Sequence, residues 1–165
     1  MNPRKTKIKT SLIATLVTGV LVLSACGSSS SGGNSGGSGS SSSATVITKK
    51  VAGYGSVLAT PSGKTLYLLT ADPSGGSKCT GSCTSQWPPL AAKGSPTAGP
   101  GVNSSMLSSF KRTDGTEQVL YNKHALYTHT GSGLTSGAGV AQNGGIWYLV
   151  SPSGNPIKST TGGGY

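Results

Sequence analysis

The chain has 165 residues, of which 27 are Gly, 33% are hydrophobic and 10% charged, with a formal net charge of +10. That length allows one domain or two very small ones. Heavy glycine use excludes a mostly helical fold, since Gly weakens a helix by roughly 1 kcal/mol relative to Ala, and three acidic residues in all offer little to a multi-carboxylate metal site or a glycosidase dyad.

The N-terminus reads as an address. Arg4, Lys5, Lys7 and Lys9 form a charged start without acids, and the mostly apolar run Thr10–Ser24 follows. This is the pattern of an export signal, and its apolar part is shorter than the roughly 20 residues of a membrane span. Leu23-Ser24-Ala25-Cys26 resembles a bacterial lipobox, an aliphatic residue and two small residues before Cys. The resemblance implies a signal over residues 1–25, a helix in the expected fold, and a Cys26 thiol that receives a diacylglyceryl group. The protein is then held at the extracytoplasmic face of the cell membrane.

Residues 26–44 follow as lipidated Cys26 plus a tether. Gly27–Ser43 is 17 residues of Gly, Ser and Asn only. Such a stretch buries no apolar area and is expected to be disordered, with an r.m.s. span of about 20–25 Å.

Residues 45–158 form the expected folded domain, and they contain a repeat. Lys64-Thr-Leu-Tyr-Leu-Leu-Thr70 precedes Trp87, and His124-Ala-Leu-Tyr-Thr-His-Thr130 precedes Trp147. Leu66, Tyr67, Thr70 and Trp87 align with Leu126, Tyr127, Thr130 and Trp147 at one constant offset of 60 residues. Tyr and Trp are scarce here, so a shared register marks an internal duplication, with repeat one over about 54–90 and repeat two over about 110–157.

Each repeat opens as a hairpin. Gly55–Thr60 and Thr65–Thr70 read as strands around the turn Pro61-Ser62-Gly63, where Pro presets φ and Gly supplies a positive one. Gln118–Tyr121 and Ala125–Thr130 flank Asn122-Lys123. Ile146–Val150 reads as a further strand, Ser151-Pro152-Ser153-Gly154 echoes Thr60-Pro61-Ser62-Gly63, and Ile157 begins a last strand. Asn103 is placed to cap one short helical turn carrying Met106, Leu107 and Phe110. A second short turn is expected at Ser85–Trp87. Residues 91–100 and 131–145 read as long loops, and 159–165 as a flexible tail. The expectation is an all-β domain of two hairpin-based repeats with pseudo-twofold symmetry, its core seeded by Leu66, Tyr67, Trp87, Leu126, Tyr127 and Trp147.

The stretches YGSVL, GKTLYLLTAD, CTGSC, WPPL, RTDGTEQVLYNKHALY and GGIWYLVSP resemble a family of bacterial secreted or lipid-anchored repeat proteins with the motif Tyr-x-(Phe/Trp/Tyr)-x-x-Asp. The similarity spans about Tyr54 to Ile157. Tyr67 and Asp72 fit the motif, with Leu69 in place of the aromatic. Tyr127 fits in the second repeat, with His129 at the aromatic position and Ser132 in place of Asp. The resemblance implies architecture and location, and no chemistry.

Other constellations point to structure. Cys79 and Cys83 are the two thiols left once Cys26 is lipidated, and an oxidising compartment makes them a disulfide. Their spacing is C-x3-C, so a redox-active pair is the alternative. His124-x4-His129 with the two cysteines has zinc-ligand spacing within each pair, but the pairs are 40 residues apart, and a disulfide would remove both thiolates. His124 is expected near a hairpin turn and His129 packed or half-exposed. Asp114-Gly115 reads as a turn. Asp72, before Pro73, reads as a turn initiator, a ligand or a fold-pinning acceptor. No hydrolase triad or phosphate loop is apparent.

Four of the 13 basic residues lie in the signal, which leaves nine against three acids. They are scattered, without the aromatic-interleaved stripe of a nucleic-acid binder. The expected function is a non-catalytic, lipid-anchored envelope module without metal or cofactor, touching the membrane through Cys26 and binding a cell-wall polymer or an envelope protein. The alternatives are a redox accessory protein using Cys79 and Cys83, or a metal carrier using His124 and His129.

Overall fold

The computed structural model describes residues 45–158. The signal, Cys26, the tether and the tail lie outside the described residues. Among the described residues nine short strands carry the fold: β1 (Ile47–Val51), β2 (Gly55–Ala59), β3 (Tyr67–Leu69), β4 (Leu107–Lys111), β5 (Glu117–Tyr121), β6 (His124–Ala125), β7 (Ala141–Gln142), β8 (Gly145–Val150) and β9 (Pro156–Ile157). Among the described residues helix is confined to one turn, α1 (Cys83–Gln86), and a 3-10 turn at Ser104–Met106. All strand pairs are antiparallel, in three sheets ordered β1-β2, β4-β5-β6 and β3-β8-β7, with β9 also on β8.

Three turns share one construction. In Thr60–Lys64 the Gly63 N–H donates to Thr60 O (2.8 Å) and the Thr60 N–H to Lys64 O (2.8 Å). Ser151–Asn155 and Arg112–Thr116 repeat both bonds, with Gly154 and Gly115 in the Gly63 position. All three glycines have φ between 79° and 86°, the left-handed region that a side chain disfavours. Asn122 (φ 49°) and Lys123 (φ 65°) make the β5–β6 turn left-handed at both central residues, the type I′ geometry that matches strand twist.

Several sequence expectations change: residues 131–145, expected as one long loop, contain β7, and Ala125–Thr130, expected as a strand, is strand only at its start, in β6. The apolar spacing at Met106, Leu107 and Phe110 is helical only as far as Met106. Asn103 does cap that turn, its Oδ1 accepting from the Ser105 N–H at 3.0 Å. From Leu107 onward the chain is β4, because the Arg112–Thr116 turn folds it back onto β5 with Leu107 opposite Tyr121. The return strand after Gly63 also behaves differently. Thr65 bridges Ala59, but Tyr67–Leu69 then leaves β2 and pairs with Trp147–Leu149 of β8. The free side of β2 is taken by β1, a strand with no counterpart among the expected elements.

That change of partner gives the fold its symmetry. The Tyr67 N–H donates to Tyr127 O (2.9 Å) and the Tyr127 N–H to Tyr67 O (3.0 Å). Leu90 N–H to Leu126 O is matched by Val150 N–H to Leu66 O, and Thr130 N–H to Gln86 O by Thr70 N–H to Ile146 O. Each match is the same bond displaced by the repeat offset. The central strand of each repeat therefore pairs with the last segment of the other, and neither repeat closes its backbone hydrogen bonds alone.

Strand alternation divides the core. Tyr67, Leu69, Trp87, Tyr127, Trp147 and Leu149 pack in one cluster with the two cysteines. Leu66, Leu68, Val119, Tyr121, Leu126 and Val150 pack in the other. The period of two along 66–69 sends alternate side chains to opposite faces. All six expected seeds are buried.

Candidate functional site

The motif residues build the interior. Trp87 and Trp147 stack with centroids 3.8 Å apart and planes 2° from parallel. Tyr67 meets Trp87 edge-on at 5.4 Å, and Tyr127 meets Trp147 edge-on at 5.0 Å. The four rings form a pseudo-twofold cluster, and each is at most 1% exposed. Gly137 closes over it, where a Cβ would lie 2.5 Å from Trp87 Cη2. The symmetry ends at the indole nitrogens. Trp87 Nε1 donates to Gln142 Oε1 at 3.1 Å, whereas the buried Trp147 Nε1 has no partner among the described residues.

Beside the cluster lies a polar network. The Tyr127 hydroxyl donates to Asp72 Oδ2 at 2.6 Å and sits 2.6 Å from Ser77 Oγ. Asp72 Oδ1 accepts the Lys78 N–H at 2.7 Å. Asp72 is thus a fold-pinning acceptor. Burial raises its carboxyl above the ordinary value, outweighing the Tyr127 and Lys78 bonds and the Arg112 charge that lower it. Burial, with the bond to Asp72, also pushes the Tyr127 phenol up.

Arg112 anchors the far end. Its side chain is 3% exposed. Nη1 donates to Ser77 Oγ (3.1 Å) and to Gln118 Oε1, Nη2 to Cys79 O (2.6 Å), and Nε to Asp114 Oδ2 (3.3 Å). Gln118, fully buried, passes the network on to Leu126 O through Nε2 (2.8 Å). In the sequence Arg112 is one of the scattered cations, and its role is not legible from its position. One signal was available: it is the single Arg among the lysines of the domain, and only guanidinium can serve four acceptors from one planar fork.

Cys79 and Cys83 form a disulfide, with Cα atoms 5.3 Å apart. Cys79 is fully buried and Cys83 nearly so. The Trp87 N–H donates to Cys83 O at 2.9 Å, so the bridge also fixes the approach of Trp87 to the core. The histidines have different surroundings. His124 opposes Tyr121 beside the β5–β6 turn. His129 packs on Trp87 at 4.4 Å, and its Nδ1 accepts the Gly131 N–H (3.1 Å) and lies 2.9 Å from Ser136 Oγ. Burial lowers the pKa of His129, so the neutral ring with its proton on Nε2 is favoured.

A cleft of about 490 Å³ opens between the Ser62–Thr65 turn and the loop from His129 to Leu134. Tyr67 lies at its base, where its hydroxyl donates to Leu134 O at 2.9 Å and Thr65 Oγ1 donates to the same oxygen. Lys49 reaches the cleft from β1, placed by its register opposite Val57, and its Nζ donates to Gly63 O at 3.1 Å. Lys64 stands exposed on the rim, and no acidic residue lines the cleft.

No curated protein and no solved structure matches the chain. Residues 48–91 match the family described as a secreted repeat of unknown function. The match covers repeat one and ends before repeat two, where His129 and Ser132 replace motif residues. It agrees with the family resemblance that the sequence carries, and it makes the segment similar to a secreted repeat, with an extracellular location for the module.

Proposed function

We propose that this protein is a non-catalytic, lipid-anchored binding module of the bacterial cell envelope, held at the extracytoplasmic face of the membrane through Cys26. The observation that carries the reading is the use made of the motif. Tyr67, Tyr127, Trp87 and Trp147 are consumed in packing, and Asp72 in an internal hydrogen bond. The motif then serves as a folding signature. What the domain presents outward is a basic surface with a cleft that two lysines reach. Outside the membrane its natural partners are anionic wall polymers, with an envelope protein as the other candidate.

The experiment has two parts. Metabolic labelling with a fatty acid should mark the wild-type chain and leave Cys26→Ala unmarked; equal labelling of both would end the anchoring claim. The full chain in detergent micelles should be retained on purified wall at low salt and released as salt rises. Passage through at every salt concentration would sink the binding claim.

A further inference from the structure

We infer that the cleft between the Ser62–Thr65 turn and the His129–Leu134 loop is a binding site for a polyol phosphodiester, the chemistry of a glycerol phosphate unit. This rests on the envelope-binding reading and names the ligand class within it.

Charge comes first. Lys49 and Lys64 meet at one cleft with no acid in its lining. The acids of the domain are committed elsewhere or stand away from it. Asp72 bonds Tyr127 and Lys78, Asp114 bonds Arg112 and Thr116, and Glu117 lies on β5. Lys49 is half-buried and spends one of its three N–H donors on Gly63 O, which fixes the ammonium and leaves two donors for a ligand. Lys64 Nζ has no protein hydrogen bond among the described residues. Two compact ammonium groups suit a phosphate as point charges, whereas bidentate capture of a carboxylate favours Arg.

The remaining wall explains the polyol. The Tyr67 and Thr65 hydroxyls are both turned to Leu134 O, so their protons stay with the protein. Ser132, exposed on the opposite wall, has its hydroxyl unpaired among the described residues. Leu134, 41% exposed, is the most open large apolar side chain among the described residues. A ligand with a phosphate at the lysines, a hydroxyl near Ser132 and a short carbon backbone against Leu134 uses each group. A volume near 490 Å³ exceeds a free phosphate and suits a small ligand or one unit of a chain.

The test is calorimetric titration of the full chain in detergent micelles with bis(glycerol) phosphate, a soluble phosphodiester of glycerol. Saturable binding is expected, weakened at least tenfold by Lys64→Glu and less than twofold by Lys93→Glu, an exposed lysine outside the cleft. Both variants should keep the wild-type thermal midpoint, since neither ammonium has a hydrogen-bond partner among the described residues. Mixed micelles bearing phosphatidylglycerol, with phosphatidylcholine as control, separate the sources. Competition by the former assigns the ligand to a lipid head group, and its absence assigns it to a polymer or soluble ester; both agree with the site. No saturable binding, or equal loss in the two variants, overturns the inference. Retention on purified wall without bis(glycerol) phosphate binding would remove this ligand and leave the envelope-binding reading in place.

Discussion

Trp87 and Trp147 lie face to face with ring centroids 3.8 Å apart, at equivalent positions of the two repeats. The local pseudo-twofold axis therefore passes through an aromatic contact, and each indole is half of the other's packing surface. Replacing either by Ala should cost about 3–5 kcal/mol, the range for large aromatics in a close-packed core. Phe separates them. Trp147→Phe removes a buried donor that has no partner among the described residues, whereas Trp87→Phe also breaks the bond to Gln142. The second substitution should cost roughly 1 kcal/mol more than the first. Urea unfolding of the two variants checks the order, and the reverse order would contradict it.

Asp72 gives an acid-side signature of unusual sign. Burial raises its carboxyl above the ordinary value in the folded protein. The folded state then takes up the proton before the unfolded state does. The contribution of this group to stability is full below about pH 3.9 and is lost as pH rises through the higher folded value. Tyr127→Phe removes a bond that favours the carboxylate. The variant should lose about 1–3 kcal/mol near neutrality, with the loss shrinking as Asp72 protonates. Thermal melts of wild type and variant between pH 3 and 7 measure this, and a pH-independent difference would exclude the coupling.

His129 has the opposite slope. Its pKa is lowered by burial, so the unfolded chain binds the proton first. Stability contributed by the neutral ring is present above about pH 6.5 and is lost as pH falls through the folded value. Protonation would also oppose the Gly131 N–H, which points at Nδ1. His129→Asn should flatten the pH dependence of the melting temperature below pH 6.5. An unchanged slope in that variant would assign the dependence to another group.

The bridge between Cys79 and Cys83 closes a short loop, and chain entropy gives such a loop about 2 kcal/mol. Its neighbours add a local effect. The Cys79 carbonyl accepts from Arg112, and the Cys83 carbonyl from the Trp87 N–H. Cys79→Ser/Cys83→Ser should lower stability by about that amount and speed proteolysis within Ser77–Thr84 before other segments. Uniform cleavage along the domain would show that the loop has no separate opening.

Legibility in the sequence followed the range of the interaction. The turns at Pro61-Ser62-Gly63 and Pro152-Ser153-Gly154 were readable because Pro and Gly fix φ locally. The 60-residue register of Tyr and Trp was readable because both are scarce. β1 was not, since Ile47-Thr-Lys-Lys-Val51 lacks a clean alternation, and its inner residues are only half-buried. The exchange of Tyr67–Leu69 onto β8 was not readable either, because a strand's own pattern shows which face is buried and not which edge pairs. At the candidate site, Lys49 and Lys64 looked scattered. Only the β1–β2 register and the Thr60–Lys64 turn bring them to one cleft.

Arg112 is the residue whose role lay furthest from the sequence. Its guanidinium is almost wholly removed from water, a costly placement for a charge. Asp114, its ion-pair partner, is largely exposed, and Asp72 contributes its charge through the same network. Ser77, Gln118 and Cys79 supply the neutral acceptors. Arg112→Ala strands these acceptors in the interior and should cost about 3–5 kcal/mol. Arg112→Lys keeps the charge but cannot span four acceptors with one ammonium, so little of the loss should be recovered. Asp114→Asn, which leaves the neutral acceptors in place, should cost far less than Arg112→Ala because its carboxylate faces solvent. Urea unfolding of the three variants at neutral pH ranks them. A fully stable lysine variant would mean that positive charge alone, and not the fork, holds the 72–83 loop against β5.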